Sequence, residues 1–177
     1  MTAGSRPVAV LVGPMGAGKS TVGAALARSC GVDLCDTDEE IVDRSGRSVP
    51  AIFQEDGEAG FRTLEAEVVA DVVATHSGVV SLGGGAVMTP AVREALVGHT
   101  VVYLRIGAEA GFARVAHSDR PLLAAPNPAE RYAEVLADRE ETYRAVASLV
   151  VDADRDPQVV VDDILARLAS RTESEQE

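Results

Sequence analysis

The sequence predicts a three-layer α/β/α domain with a five-stranded, all-parallel sheet. Short, nearly uninterrupted apolar runs recur along the chain, and such runs are typical of strands that are buried on both faces. Longer segments with apolar residues at helical spacing follow these runs, and strands that alternate with helices form parallel sheets. At 177 residues, the chain has the length of a single domain.

The predicted strands are short apolar runs bounded by turn residues. The first, VAVLV at residues 8–12, is almost wholly apolar and ends at a glycine-rich loop. The third also ends at glycines, in this case three in succession. Strands are expected at residues 8–12, 34–36, 79–82, 100–106 and 149–152.

Capping and helix-breaking residues bound the predicted helices. Gly31 ends the first helix, and the sequence TDEE at residues 37–40 fits a capping box in which Thr37 caps the second. Proline lies in the first turn of several others. Helices are expected at residues 19–30, from 37, from 48, and at 58–73, 89–96, 108–115, 127–146 and 156–170, with an irregular loop at 117–127.

Composition and charge favour a cytoplasmic protein that binds small molecules. No apolar run approaches the roughly 18 residues of a membrane span, and residues 1–7 lack the apolar stretch of a signal peptide. The formal net charge of −12 argues against nucleic-acid binding through a broad basic surface. Cys30 and Cys35 are expected to be reduced and buried, and the scattered histidines suggest no metal site.

The segment GPMGAGKS at residues 13–20 fits the complete P-loop pattern G-x-x-x-x-G-K-[ST]. A predicted strand precedes it and a predicted helix follows. The glycines allow backbone N–H groups to turn inward around phosphate oxygens, at a helix N-terminus that favours anions. Lys19 is expected at the β- and γ-phosphates, and the Ser20 hydroxyl at Mg²⁺. The motif predicts a nucleoside triphosphate site and indicates nothing about a second substrate.

Lys19 is the only lysine among 16 basic residues, and all the others are arginine. Lysine presents a compact ammonium, whereas arginine presents a wide, planar guanidinium. The sequence therefore suggests that Lys19 occupies a site where arginine does not fit.

Two further patterns each have a purely structural alternative. Asp36 and Asp38 end the second predicted strand, where ligands bind in open α/β sheets, but they also suit the N-terminus of a helix. Arg62 and Glu65 are three residues apart on a predicted helix, where a solvated ion pair is an equal or better explanation.

Three more patterns are also ambiguous when taken singly. The run Gly83, Gly84, Gly85 sacrifices backbone entropy, so something is expected to approach the backbone there, although a plain turn is the alternative. Arg120 lies in the irregular loop, where it could close on a phosphate or remain a surface side chain. Arg139 lies on a charge-rich helix, which by itself explains an arginine.

The order of these motifs is more specific than any one of them. The succession GPMGAGKST, DLCDTDEEI, FRTLE, SLGGG, DRPLL and ADREETY resembles the shikimate kinases from about residue 8 to residue 167. The resemblance implies a P-loop enzyme of the nucleoside monophosphate kinase-like fold that phosphorylates the 3-hydroxyl of shikimate with ATP, on the route to aromatic amino acids. It implies one domain over residues 1–171, with a substrate-binding segment at about 37–65, a lid at about 116–127 and a disordered tail at 172–177.

The resemblance also implies roles for individual residues. Asp38, Lys19 and Arg120 would be catalytic, with Arg120 on the lid. ATP would be bound by Gly16, Ala17, Gly18, Lys19, Ser20, Thr21, Arg114, Arg120 and Arg155. Mg²⁺ would be held by Ser20 and, through water, by Asp36. Shikimate would be bound by Asp38, Phe53, Phe61, Arg62, Gly83, Gly84, Gly85 and Arg139.

The chemistry of these residues suits the implied acceptor, because a carboxylate is well bound by arginine and a hydroxyl by a carboxylate acceptor. Two alternatives stay open. One is a related kinase for another polyol acid such as gluconate, and the other is a non-catalytic ATP-binding regulatory domain. For the shikimate kinase that the resemblance implies, the expected partners are the small molecules ATP and shikimate, with no nucleic acid or membrane. The expected state is a monomer.

Overall fold

The computed structural model describes residues 6–118 and 124–174. A five-stranded sheet forms its centre, in the order β2-β3-β1-β4-β5, and every pair of neighbouring strands is parallel. The predicted fold class, three layers around a five-stranded parallel sheet, is thereby confirmed. The strands are β1 (Ala9–Val12), β2 (Leu34–Asp36), β3 (Val79–Ser81), β4 (Val101–Arg105) and β5 (Leu149–Asp152).

Seven helices connect the strands in the described part of the chain. They are α1 (Lys19–Cys30), α2 (Thr37–Ser45), α3 (Val49–Thr75), α4 (Pro90–Ala95), α5 (Ala108–Val115), α6 (Pro128–Val146) and α7 (Pro157–Ser174). Within residues 6–118 and 124–174, no helix is both long and apolar enough to cross a membrane.

The core has two parts, one on each face of the sheet. Along β1, Ala9 and Leu11 point to one face and Val10 and Val12 to the other, because successive side chains of a strand alternate. The Leu11 side packs against apolar residues of α1 and α7. The Val10 side packs against α2, α3, α4 and α6. This arrangement explains why the strand sequences are apolar at nearly every position.

The strand order brings the carboxyl ends of β1, β2 and β3 together. β3 lies between β1 and β2, and Asp36 at the end of β2 pairs in register with Ser81 at the end of β3. The P-loop follows β1 at the same edge of the sheet. Residues that are far apart in sequence therefore meet there, as expected for an open α/β sheet.

Several element boundaries differ from the prediction. Asp36, not Thr37, is the N-cap of α2, because Asp36 has extended backbone angles and its carboxylate accepts from the N–H groups of Asp38 and Glu39. The two helices predicted from residue 48 and at 58–73 are both present within α3, where they meet at a kink at Gly57, whose φ of 73° is not helical. A 3₁₀ turn, Ala86–Met88, was not predicted, and α7 runs to Ser174, into the predicted tail. Both cysteines are free and half-buried.

Candidate active site

The P-loop wraps around the N-terminus of α1. Gly16 has a φ of 83°, in the left-handed region that favours glycine, and a Cβ there would lie 2.5 Å from the carbonyl oxygen of Gly111 on α5. Only glycine fits this position, since both the backbone angle and the available space exclude a side chain. Lys19 donates to the carbonyl oxygens of Gly13 at 2.7 Å and Pro14 at 3.0 Å, so its ammonium lies against the loop.

A cavity of about 360 Å³, here called the P-loop cavity, opens beside this loop. The P-loop lines one side, and the ends of β2 and β3 line another. Its lining residues are Met15, Gly16, Gly18, Lys19, Ser20, Thr21, Asp36, Asp38, Ser81, Leu82, Gly83, Gly84, Arg114 and Val115. Ala17 is buried behind the loop and is not among them.

Two oxygen-bearing side chains, Asp36 and Ser81, line the P-loop cavity at the ends of β2 and β3. The Asp36 carboxylate accepts from the Asp38 N–H at 2.9 Å, which orients it at the start of α2. Ser81 is 1% exposed, and its Oγ has no hydrogen-bond partner among the described residues. A buried hydroxyl of this kind ordinarily has a partner, so a water or ligand in the cavity would complete its hydrogen bonding.

A second cavity of about 450 Å³, here called the arginine cavity, adjoins the first. It is lined by residues from the P-loop, α2, α3, the glycine turn and α6. They are Met15, Asp38, Val49, Pro50, Phe53, Glu58, Phe61, Arg62, Glu65, Gly83, Gly84, Gly85 and Arg139. Met15, Asp38, Gly83 and Gly84 line both cavities, so Asp38 lies at the junction.

Arg62 and Glu65 form an ion pair of 2.7 Å in the wall of the arginine cavity. Glu65 is 1% exposed, which rules out the solvated pair that was the structural alternative. Burial raises the pKa of the Glu65 carboxyl, and the Arg62 guanidinium opposes that rise. The guanidinium also lies 5.3 Å from the centre of the Phe61 ring, which stacks on Phe53 at 4.5 Å.

The three consecutive glycines make room for the side chains of the cavities. A Cβ on Gly83 would lie 2.8 Å from Asp38 Oδ1, and a Cβ on Gly85 would lie 2.5 Å from Arg62 Nη2. The groups that approach the backbone of this glycine turn are therefore the charged side chains of Asp38 and Arg62. A side chain at position 83 would therefore displace Asp38, and one at position 85 would displace Arg62.

Arg139 reaches the arginine cavity from α6, opposite Arg62 on α3. Burial raises the pKa of the Tyr143 hydroxyl, one turn further along the helix, and the positive charge of the Arg139 guanidinium opposes that rise. Two arginines therefore line one cavity, an arrangement that suits the binding of a carboxylate.

The structure treats the remaining predicted arginines differently. Arg114 lines the P-loop cavity and donates to the carbonyl oxygen of Gly16 at 3.1 Å. Arg155 is not part of either cavity, and it pairs with Asp163 on α7 at 2.8 Å. Arg120 lies outside the described residues.

The sequence profile of the family described as shikimate kinase matches residues 15–169. A shikimate kinase of Mycobacterium tuberculosis is 52% identical over 171 residues, covering 96% of this chain and 97% of that protein. The chain belongs to the shikimate kinase family. This membership makes it a kinase that transfers phosphate to an alcohol group of shikimate.

Solved structures support the same assignment. The shikimate kinase of Acinetobacter baumannii, solved in complex with shikimate, superposes with a TM-score of 0.89 at 36% identity, covering 94% of each chain. A gluconokinase of Sinorhizobium meliloti superposes with a TM-score of 0.61 at 19% identity, covering 95% of this chain and 94% of that one. The second likeness concerns the fold alone. The expected nucleoside monophosphate kinase-like fold is confirmed for this shikimate kinase family member.

Several residues of this shikimate kinase family site were not singled out from the sequence. Met15 and Glu58 line the arginine cavity, and Ser81 lines the P-loop cavity. Ser81 carried a signal, because it is a polar residue at the end of an otherwise apolar strand. Tyr132 and Tyr143 on α6 carried none, because a buried tyrosine on an amphipathic helix is indistinguishable from an ordinary core residue.

Proposed function

We propose that the chain transfers the γ-phosphoryl group of ATP to the 3-hydroxyl of shikimate, with ATP in the P-loop cavity and shikimate in the arginine cavity. The observation that carries this proposal is the junction of the two cavities at Asp38. Phosphoryl transfer requires the acceptor oxygen to lie in line with the γ-phosphate, and two adjoining cavities allow that alignment.

Asp38 is the proposed acceptor of the hydrogen bond from the 3-hydroxyl. Its carboxylate lies against Gly83 at the junction, so a hydroxyl bound there would face the P-loop. Because phosphoryl transfer depends more on positioning than on proton abstraction, orientation of the hydroxyl is the first role of Asp38 and proton acceptance the second.

Lys19 is the proposed partner of the β- and γ-phosphates. Its ammonium now lies against the carbonyl oxygens of Gly13 and Pro14, and a bound phosphate would compete for the same donor. Gly16, Ala17, Gly18 and Thr21 would contribute the backbone and the helix N-terminus that surround the phosphates. Arg114 would lie beside the nucleotide, in keeping with its place in the P-loop cavity.

The residues at the base of the P-loop cavity fit Mg²⁺. Ser20, Asp36 and Ser81 supply hydroxyl and carboxylate oxygens, which Mg²⁺ prefers, and the Ser81 hydroxyl lacks a partner among the described residues. Bound with the nucleotide, Mg²⁺ would neutralise phosphate charge. Among the described residues, no group of three or more His, Cys, Asp or Glu side chains could hold a metal ion. Ser20 would bind Mg²⁺ directly and Asp36 through water, and the nucleotide phosphates would supply the remaining ligands.

Arg62 and Arg139 are the proposed ligands of the shikimate carboxylate. They line one cavity from α3 and α6, and Phe53 and Phe61 supply an apolar wall for the ring. Gly83, Gly84 and Gly85 bring the backbone of the glycine turn to the same cavity. Binding an anion here is compatible with the net charge of −12, because the arginines converge locally.

The nucleotide-binding roles proposed for two arginines, Arg120 and Arg155, rest on the sequence alone. Arg120, on the predicted lid at about 116–127, would contact the transferring phosphate when the lid closes. Arg155 would flank adenine only if it exchanged its present ion pair with Asp163 for the nucleotide. Residues 1–171 as one domain, the monomeric state, the cytoplasmic location and the lack of nucleic-acid or membrane partners stay predictions.

An ADP-release assay over a panel of acceptors tests the proposed function. We expect ADP formation with shikimate that requires Mg²⁺ and stops when the ion is chelated. Gluconate and nucleoside monophosphates should give little. Equal turnover with gluconate would overturn the assignment of the acceptor, and nucleotide binding without turnover on any acceptor would favour a regulatory ATP-binding domain.

A further inference from the structure

One face of α6 connects both cavities. Tyr132, Leu136, Arg139 and Tyr143 are spaced by four, three and four residues, so their side chains share that face. Both tyrosines are buried, at 2% and 0% exposure. Each hydroxyl donates to a backbone carbonyl in a different loop of the active site, Tyr132 to Met15 in the P-loop and Tyr143 to Gly84 in the glycine turn.

Tyr143 links the two sides of the arginine cavity. Its hydroxyl donates to the Gly84 carbonyl oxygen, and it lies one helical turn from Arg139, whose positive charge opposes the rise that burial causes in the Tyr143 pKa. This hydrogen bond thereby holds the glycine turn against α6, the helix that carries Arg139. Gly85, the next residue of the turn, packs against Arg62, so the second arginine is held by the same turn.

Tyr132 makes a corresponding link on the other side of the site. Its hydroxyl donates to the Met15 carbonyl oxygen at 2.6 Å. Gly111 on α5 leaves the space for this hydroxyl, because a Cβ at position 111 would overlap it. Glycine within a helix is less stable than alanine, so the space for the Tyr132 hydroxyl lowers the stability of α5. Gly111 also contacts Gly16, which places Tyr132, α5 and the P-loop in one packed unit.

We propose that Tyr143 and Tyr132 are positioning residues, Tyr143 for the acceptor in the arginine cavity and Tyr132 for the nucleotide in the P-loop cavity. The inference rests on the proposed function, because it assigns Arg139 and the glycine turn to the acceptor. Neither hydroxyl contacts the reacting atoms. Each acts through the carbonyl that it holds, and Tyr143 thereby holds the glycine turn against α6, the helix that carries Arg139.

Removing one hydroxyl leaves a buried carbonyl without its donor, and such a carbonyl relaxes toward water or another donor. In Tyr143→Phe the glycine turn loses its anchor to α6, the helix that carries Arg139, so shikimate should bind less well. In Tyr132→Phe the P-loop loses its anchor at Met15, so ATP should bind less well. The remaining ring preserves the packing of the core in both variants.

Tyr103 provides a matched control. It is the third tyrosine of the chain, is also buried, and stacks on Tyr143 at 5.0 Å. Its hydroxyl donates to the Glu140 carboxylate, and no hydrogen bond among the described residues connects it to the P-loop or to the glycine turn. Tyr103→Phe therefore removes a buried tyrosine hydroxyl of the same core without changing an anchor of either cavity.

The test compares Tyr143→Phe, Tyr132→Phe and Tyr103→Phe by steady-state kinetics, thermal unfolding and calorimetric Kd values. We expect Tyr143→Phe to raise the KM and Kd for shikimate about tenfold, with the KM for ATP within about twofold of the wild type. Tyr132→Phe should show the reverse pattern. Tyr103→Phe should change neither KM, whatever its effect on Tm.

Two outcomes would overturn the inference. One is a shikimate KM in Tyr143→Phe and an ATP KM in Tyr132→Phe that both match Tyr103→Phe. The other is a parallel shift of both KM values in all three variants that follows the loss of Tm, which would assign the hydroxyls to stability alone. If Tyr143→Phe does not fold, the inference is judged by whether Tyr132→Phe raises the KM for ATP above that of Tyr103→Phe. Failure of the wild type to phosphorylate shikimate, or of Arg139→Lys to weaken its binding, would instead contradict the proposed function.

Discussion

The P-loop cavity and the arginine cavity are neighbours of similar size, about 360 and 450 Å³, but they are built differently. The first has one continuous loop along one side, and the backbone N–H groups and glycines of that loop suit phosphates of any nucleotide. The second is assembled from side chains of α2, α3 and α6 together with the glycine turn. Its charged groups are held by other charged groups, as in the buried pair of Arg62 and Glu65.

This difference separates the general part of the site from the specific part. A loop that binds with its backbone can be carried by many folds and says little about the acceptor. A cavity whose shape depends on several elements is specific, since each side chain has to be oriented by a neighbour. Substitutions in the first cavity should affect nucleotide use, and substitutions in the second should affect the acceptor. Asp38, which lines both, should affect the chemical step most.

The largest effect is expected for Asp38→Asn. The amide loses the negative charge that accepts the shikimate hydroxyl, and kcat should fall by about 10²–10⁴-fold, as is typical of acid–base residues. Glu39→Gln is the control, because Glu39 is the exposed neighbour on α2 and lines neither of the two cavities. Steady-state kinetics with both substrates saturating would measure the change, and a kcat near that of the wild type would refute both roles proposed for Asp38.

A loss of about 10²–10³-fold in kcat/KM is expected for Lys19→Arg, close to that of Lys19→Met. The ammonium donates to two carbonyl oxygens of the P-loop, and a guanidinium, which is wider and planar, would not reproduce that geometry. Circular dichroism should show normal folding of both variants, and Arg28→Lys on the exposed side of α1 should be neutral. High activity of Lys19→Arg beside an inactive Lys19→Met would mean that charge alone matters.

Arg62→Lys and Arg139→Lys should each raise the shikimate Kd by about ten- to a hundredfold and leave the ATP Kd unchanged. Lysine keeps the charge but loses the planar fork, and hydrogen bonds to charged groups contribute about 1.5–3 kcal/mol. Isothermal titration calorimetry would measure both affinities, with Arg131→Lys on the exposed face of α6 as the control. Unchanged shikimate affinity in both variants would mean that these arginines have only a structural role. It would also contradict the assignment of the arginine cavity to the acceptor.

The smallest effect is expected for Glu65→Gln, and it concerns stability and pH. Burial raises the pKa of Glu65 above its ordinary value of 4.5 in spite of Arg62. A raised pKa means that the folded state holds this proton more tightly than the unfolded state. The stability from this group is therefore present below the unfolded value and is lost as pH rises through the folded value.

Relative to wild type, Glu65→Gln should therefore gain in free energy of unfolding as pH rises from below 4.5 to neutrality. Urea unfolding across this pH range would measure the difference, with the exposed Glu67→Gln on α3 as the control. A difference that is constant with pH, or that falls as pH rises, would show that Arg62 holds the carboxylate charged despite burial.

The sequence predicted the P-loop cavity more directly than the arginine cavity. The first contains a contiguous motif, whereas the second is assembled from several elements. Gly16, Lys19 and Ser20 belong to one contiguous motif, so their grouping required no knowledge of the fold. Arg62, Arg139 and the glycine turn were placed together only by resemblance to a family. Taken singly, each had an ordinary structural explanation. The burial of Glu65 contradicts a solvated ion pair with Arg62, and the contact of Gly85 with Arg62 contradicts a plain turn.

By itself the sequence determined the elements, because helical spacing, glycine stops and apolar strands are local properties. The tertiary structure decided what those elements bring together. The strand order β2-β3-β1-β4-β5 places Asp36 beside Ser81, and no local pattern encodes that neighbour. The same holds for the partners of Tyr132 and Tyr143, because a hydroxyl's acceptor lies 117 or 59 residues away in the chain and only packing brings it within reach.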